Sequence, residues 1–292
     1  MPAKRVAGLA VALAGIVGCA PLRGVPHPGP RPVPGPVDVT VTVPLDCSGH
    51  ADEVTVTATL PRRVAATRAF PVTISTSGIP GWVTLSLTEA TPGSFAVAAT
   101  SQPSTTQVVA TGAEGSRISL EVASAGYDLP GGGPGRLPPP TTVVCTPTGE
   151  AVVGEIRTIG RAAPGATGST AIDVALATRC QVSGLPVGGA TVRTTLSVPT
   201  EVATGETFSV PDLAASASVP GDIGPAIVVE GATLSSGVFL TPEADVTVTA
   251  VPGEHVRLDV FAVGVFTGTF PVGCSPIGPG HLATIPVVAD AA

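Results

Sequence analysis

Asparagine does not occur in this chain, and the only lysine is Lys4. Without asparagine there is no Asn-x-Ser/Thr acceptor for N-glycosylation and no intramolecular Lys–Asn isopeptide cross-link. Without a later lysine, no phosphate-binding loop ending in Gly-Lys-Ser/Thr can form. Aromatic residues make up 3% of the 292 residues, including a single tryptophan, Trp82, and a single tyrosine, Tyr127. The interior must therefore be filled by Val, Ala, Leu and Ile. Outside the N-terminal segment no stretch keeps a 3.6-residue apolar period, which argues against a helical fold. The arginines are scattered and the formal net charge is −7. Nucleic-acid binding needs clustered basic residues, and a headgroup site needs a polybasic run. Neither is present, and the acidity reads as solubility.

Catalytic signatures are missing as well. There is no Gly-x-Ser-x-Gly elbow, no His-Glu-x-x-His and no Cys-x-x-Cys. The glycine-rich run Gly131-Gly132-Gly133-Pro134-Gly135 lacks dinucleotide spacing and reads as a loop, so no cofactor is expected. Asp46, His50, Asp52 and Glu53 form the densest polar cluster, but they fall in a turn between strands and read as solvated, not as an ion site. His255 alternates with apolar neighbours and is expected on the solvent side of a strand. His281, after Gly278-Pro279-Gly280, reads as a turn residue. No metal site and no catalytic residue is assigned.

What is present is a chain that reads twice. Pro61, Val64, Phe70 and Val72 match Pro199, Val202, Phe208 and Val210, and Gly115, Leu120 and Val122 match Gly253, Leu258 and Val260 at the same offset of 138 residues. Cys47 and Cys145 frame the first copy; Cys180 and Cys274 frame the second. Four thiols allow three pairings, and the repeat selects Cys47–Cys145 and Cys180–Cys274. Disulfides imply an oxidising exterior. Within each copy, runs such as Val37, Val39, Val41 and Val43 alternate with Asp38, Thr40 and Thr42, the period-2 pattern of a half-buried strand.

The expected fold class is therefore all-β, with two tandem Ig-like antiparallel β-sandwiches at residues 37–159 and 170–290, joined by a linker at 160–169. Phe70 and Phe208 are expected in the cores, as are Phe261, Phe266 and Phe270. Each copy should end in an apolar strand after its second cysteine, at 152–159 and 282–288.

The N-terminus reads as a signal peptide, residues 1–18. Lys4 and Arg5 precede an apolar run at 6–17, too short to span a bilayer. Ile16-Val17-Gly18-Cys19 resembles a lipobox, which predicts lipidation of Cys19 and anchoring in a membrane. Ordinary cleavage would use Gly18 and Ala20 but would leave Pro21 just after the cut. Residues 19–36 are proline-rich and favour a polyproline II stalk of up to about 50 Å.

The framing cysteines, the Pro-x-x-Val-x5-Phe segments at Pro61 and Pro199, the Cys-x-Pro of Cys145 and Cys274, and Leu282-Ala283-Thr284-Ile285-Pro286-Val287 resemble Ig-like domains of secreted actinobacterial proteins. The chain departs from them in lacking an aromatic residue before Cys47 and Cys180. The resemblance implies a cell-envelope module of a family without an established function, not a reaction. The expected role is a non-catalytic structural or binding lipoprotein, with an envelope protein, glycan or lipid as partner. A carrier of apolar ligands is the alternative, and an envelope hydrolase ranks third. Trp82 could recognise a ligand, although Val83, Leu85 and Leu87 make it read as core. Tyr127 and Arg136, beside and within the inserted segment 130–140, are the other candidate contacts.

Overall fold

A computed structural model describes residues 35–129, 141–160, 168–182, 185–210, 214–218, 222–235, 244–266 and 271–289. The signal segment, Cys19, the stalk to residue 34, Arg136 and most of the linker lie outside these residues. The described residues are all-β, with no helix.

The first hairpin shows how the sequence builds the fold. Val37–Cys47 pairs with His50–Leu60 along its whole length, from Val37 opposite Leu60 to Cys47 opposite His50. The connection is Ser48-Gly49, both at positive φ (57° and 91°), the left-handed geometry that a two-residue hairpin requires. Asp46 caps it by accepting the Gly49 N–H at 2.7 Å. Alternation then sends Val43, Val54 and Val56 into the core, while Thr40 and Thr42 face Thr57 and Thr55 on the outer side, hydroxyl to hydroxyl at 3.0 Å. The acidic cluster around Cys47, expected in a turn, instead flanks it: Asp46 is at the end of the first strand, and His50, Asp52 and Glu53 open the second.

One layer of the first half continues from this hairpin through Ala69–Ser77 to Ser104–Ala110. The other layer holds Ser94–Ala98, Trp82–Leu87, Arg117–Leu129 and Val152–Ile159. Arg63–Ala65 runs parallel at its edge. Thr141–Pro147 pairs with both layers and joins them at a corner. Val43, Val54 and Val72 of one layer and Leu85, Leu120 and Ile156 of the other belong to one buried cluster.

The second half repeats the plan. Ser169–Val182 and Leu185–Pro199 form its first hairpin, Pro271–Pro276 joins that hairpin to His255–Phe266, and His281–Val288 closes beside it. Its core is a separate cluster from Ile172 to Val287. The parallel edge contact recurs in the second half: Val64 is opposite Thr158, and its repeat equivalent Val202 is opposite Val287. Both disulfides form as the repeat selected, Cys47–Cys145 and Cys180–Cys274. Each joins residues directly opposite in neighbouring strands, with Cα atoms 4.1 and 3.9 Å apart. They lock the corner where the first strand meets the penultimate one, whereas an antibody-domain disulfide spans the two sheets.

Two expectations change. Phe261 is 45% exposed. Ala226 is opposite Ala262 but Ile227 is opposite Val260, so Phe261 is the extra residue of a β-bulge, which shifts the alternation and turns its ring outward. His281 is not in a turn. It opens the last strand and is completely buried, because that strand has the second core on one side and the first half on the other.

The two halves meet along Ser104–Ala110. Thr105 pairs with Asp173 and Gln107 with Ala283, so the strand network runs from one half into the other. Side chains reinforce the seam. Thr106 donates to the Leu282 carbonyl at 2.8 Å, the Gln107 amide to the Thr284 carbonyl at 3.1 Å, and the Ala175 N–H to Ser104 Oγ at 3.1 Å. Arg193 reaches the Pro103 carbonyl at 2.6 Å, and Arg68 pairs with Glu201. The seam is polar where each core is aliphatic; several of its buried polar groups are met by partners across it, whereas Gln107 Oε1 and Thr284 Oγ1 find none among the described residues.

Candidate functional site: the cleft between the halves

Beside the seam, a cleft of about 410 Å3 opens between the halves. Pro80, Gly81, Trp82 and Asp128 form one wall, and Ala177, Ala190, Thr191 and Ser218 the other. Its volume falls in the range of small-ligand sites.

Glycine places the indole. Trp82 starts a strand and lies opposite Gly126. A Cβ on Gly126 would stand 2.5 Å from Trp82 Cζ2, and one on Gly81 would stand 2.0 Å from the Gly126 carbonyl. Only bare backbone lets the ring lie flat on the neighbouring strand. Trp82 is 7% exposed, so an edge of the ring reaches the cleft. From the second half, Arg179 crosses over it, with its guanidinium carbon 5.9 Å from the ring centroid, a cation–π distance.

Arg179 is also forked onto Asp128: Nε donates to Oδ2 and Nη2 to Oδ1, both at 2.9 Å. Nη2 further reaches Thr142 Oγ1 at 2.5 Å, and Thr142 donates to Asp128 Oδ1 at 2.9 Å. The Arg179 hydrogen bonds hold the Asp128 carboxyl below its ordinary range against the opposing effect of burial, and Asp128 in turn raises Arg179. The cleft therefore carries a charge pair that neutralises itself.

A second polar cluster lies inside the seam. His281 Nδ1 is 3.0 Å from Asp259 Oδ1, and Nε2 is 3.2 Å from the Gln107 carbonyl of the first half. Arg257 pairs with the other oxygen of Asp259 at 2.8 Å. Burial alone would raise the Asp259 carboxyl, but His281 and Arg257 outweigh it and hold the group below its ordinary value. His255 is half-buried, and that burial lowers its pKa despite the nearby Glu254.

Of the residues singled out for binding, Trp82 lines the cleft, and Tyr127 packs partly buried against the first core. Arg136 lies outside the described residues. The partners of Trp82 went unrecognised: Asp128 and Arg179 are far apart in sequence and in different copies, and no spacing links them. Among the described residues, no three His, Cys, Asp or Glu side chains are grouped to hold a metal ion. No helix among them is long and apolar enough to cross a membrane. No family model matches the chain, and neither does any curated protein or solved structure.

Proposed function

We propose that the protein is a non-catalytic module of a bacterial envelope, tethered through lipid at Cys19 and serving a structural or binding role. The two disulfides fit an oxidising, extracytoplasmic setting. The observation that carries the reading is the seam. Two freely jointed sandwiches could not maintain a cleft between them, whereas halves bonded through Ser104, Thr106, Gln107 and Arg193 keep its two walls in register. Among the described residues, the cleft offers one carboxylate, already forked to an arginine, and no nucleophile–base pair. The carrier reading needs an enclosed apolar cavity, and this cleft is open with hydroxyls at its rim.

Fractionation of cells carrying the wild-type chain or a Cys19→Ala variant tests the proposal. The wild type should partition with membranes and be accessible to protease on intact cells, and the variant should be released. A wild-type protein found in the cytosol would refute it. Crosslinking on intact cells then identifies the partner, and retained lipid in native mass spectrometry would favour a carrier.

A further inference from the structure

We infer that the end of the first half at which the chain enters the fold is a second attachment to the membrane, an arginine face that lies against anionic phospholipid headgroups. The inference rests on the proposed tethering at Cys19 and names the surface that the folded part meets.

Arginines that are scattered in the sequence are gathered by the fold. Arg157 lies directly opposite Arg63 on the parallel edge strand and directly opposite Arg117 on the other side. Residues opposite one another share a face of the sheet, with Cβ atoms about 5 Å apart. All three are exposed, as is Arg62, whose carbonyl accepts the Arg157 N–H at 3.2 Å. Like charges in direct opposition destabilise a sheet, so the row costs stability until an anion is brought to it. Among the described residues Arg62, Arg63 and Arg157 make no ion pair, whereas Arg68, Arg179, Arg193 and Arg257 each have a carboxylate. Arg117 meets Glu155, but the two side chains are 74% and 50% exposed, and such a pair contributes little. The other carboxylates nearby are turned elsewhere. A Cβ on Gly160 would stand 3.2 Å from both Glu114 oxygens, and one on Gly112 would stand 2.9 Å from Glu89 Oε2. Three guanidinium groups are thus left without a bonded counter-charge in a chain whose net charge is −7.

Three observations favour a membrane as the occupant. The hollow that Arg63, Glu114 and Arg157 line holds about 160 Å3, below the roughly 300 Å3 at which small-ligand sites begin, so it suits a headgroup phosphate met at a surface. Ile159 is 41% exposed and lies two residues beyond Arg157 on the same outward face. An apolar side chain beside cations is the make-up of an interfacial contact, whereas a single-stranded nucleic acid would call for aromatic stacking, and the row has no aromatic. Position is the third. Val37 lies opposite Leu60, and Leu60 leads through Pro61 into Arg62 and Arg63, so the segment bearing Cys19 joins the fold at this face. A tether raises the local concentration of headgroups, and a weak surface attraction then suffices. A free chain held so weakly washes off during fractionation, and the release expected of Cys19→Ala stands.

The chain from Ala20 onward keeps the folded unit and carries no acyl group. Its co-sedimentation with phosphatidylglycerol vesicles and with phosphatidylcholine vesicles is measured at excess lipid, with inorganic phosphate and a DNA duplex as competitors. It should bind the phosphatidylglycerol vesicles alone, and less so at high salt. Each arginine near an anionic surface is worth about fivefold, so Arg157→Gln should weaken binding about fivefold and the double variant Arg63→Gln, Arg157→Gln about thirtyfold. The melting temperature should not fall, because both variants relieve repulsion. Gln181→Glu shifts net charge by the same unit as Arg157→Gln but from an exposed position in the second half, and should leave binding unchanged. Equal binding to both vesicles, no binding to phosphatidylglycerol, or a double variant that binds as the wild type does would overturn the inference. So would a Gln181→Glu loss equal to that of Arg157→Gln, or displacement by phosphate or DNA at matched phosphate concentration. If the wild type fractionates with membranes and Cys19→Ala is released, such a failure rejects only the arginine face. A cytosolic wild type rejects the tether whatever the vesicles show.

Discussion

Replacing His281 with leucine should loosen the two halves from each other before either core melts. The imidazole is fully buried and touches a carboxylate of its own half and a main-chain carbonyl of the other. Leucine leaves the Gln107 carbonyl without that partner, at a cost of about 1–3 kcal/mol for a buried acceptor. It also removes a contact to the Asp259 carboxylate, worth about 1.5–3 kcal/mol for a hydrogen bond to a charged group, although Arg257 remains on the other oxygen. Together these give a loss on the order of 3 kcal/mol, a large share of the about 5–15 kcal/mol that holds a typical domain. Urea unfolding followed by Trp82 emission and by far-UV circular dichroism measures it. Trp82 belongs to the first half but carries Arg179 of the second over its ring, so its emission senses separation as well as unfolding. The two probes should coincide in the wild type and diverge in His281→Leu, with emission changing at lower urea. His255→Leu is the control on the same strand network. If His281→Leu shifts the midpoint no further than His255→Leu, the imidazole does not hold the seam.

The two disulfides close separations of 98 and 94 residues, so replacing either cysteine pair by alanine should cost a similar amount, about 4 kcal/mol, read as the shift in urea midpoint. A large effect from one pair alone would contradict the equivalence of the copies. Gly126→Ala places a methyl 2.5 Å from the indole and should cost about 1–3 kcal/mol with an altered Trp82 emission maximum; unchanged emission would mean that the ring does not lie on that strand. Asp128 and Asp259 both sit below the ordinary carboxyl value of 3.8. Their contribution is therefore complete above about pH 3.8 and is lost as pH falls through their lower folded values. Asp128→Asn should flatten that acid limb of the stability profile, and a limb of unchanged slope would rule out Asp128 as its source.

Many strand positions were legible because valine alternates with threonine in Val37–Cys47 and His50–Leu60, and because equivalent residues such as Val64 and Val202 repeat at a constant offset. The cysteine pairing followed from the repeat, because one pair of cysteines frames each copy. Phe261 was misread because one inserted residue reverses the two-residue rhythm, and a bulge leaves no mark in composition. The seam was illegible for another reason. Thr106 and Gln107 are polar, and a polar residue on a strand reads as facing water unless its partner is known, while His281 after Gly278-Pro279-Gly280 reads as a turn residue. The cleft suffered likewise: Trp82 could be picked out as the only tryptophan, but Arg179 and Asp128 meet it only after two separate copies have folded and docked.

The shared strand Ser104–Ala110 bears on how such a molecule can be divided. Along its outer margin Ser104, Thr106 and Gln107 are occupied by the other copy. A single copy released by proteolysis or expressed alone would present that margin as an unfinished ladder, open to any chain able to extend it. Duplication here supplies each unit with a permanent neighbour, and a half-length fragment would be driven to self-associate along the margin that neighbour covers.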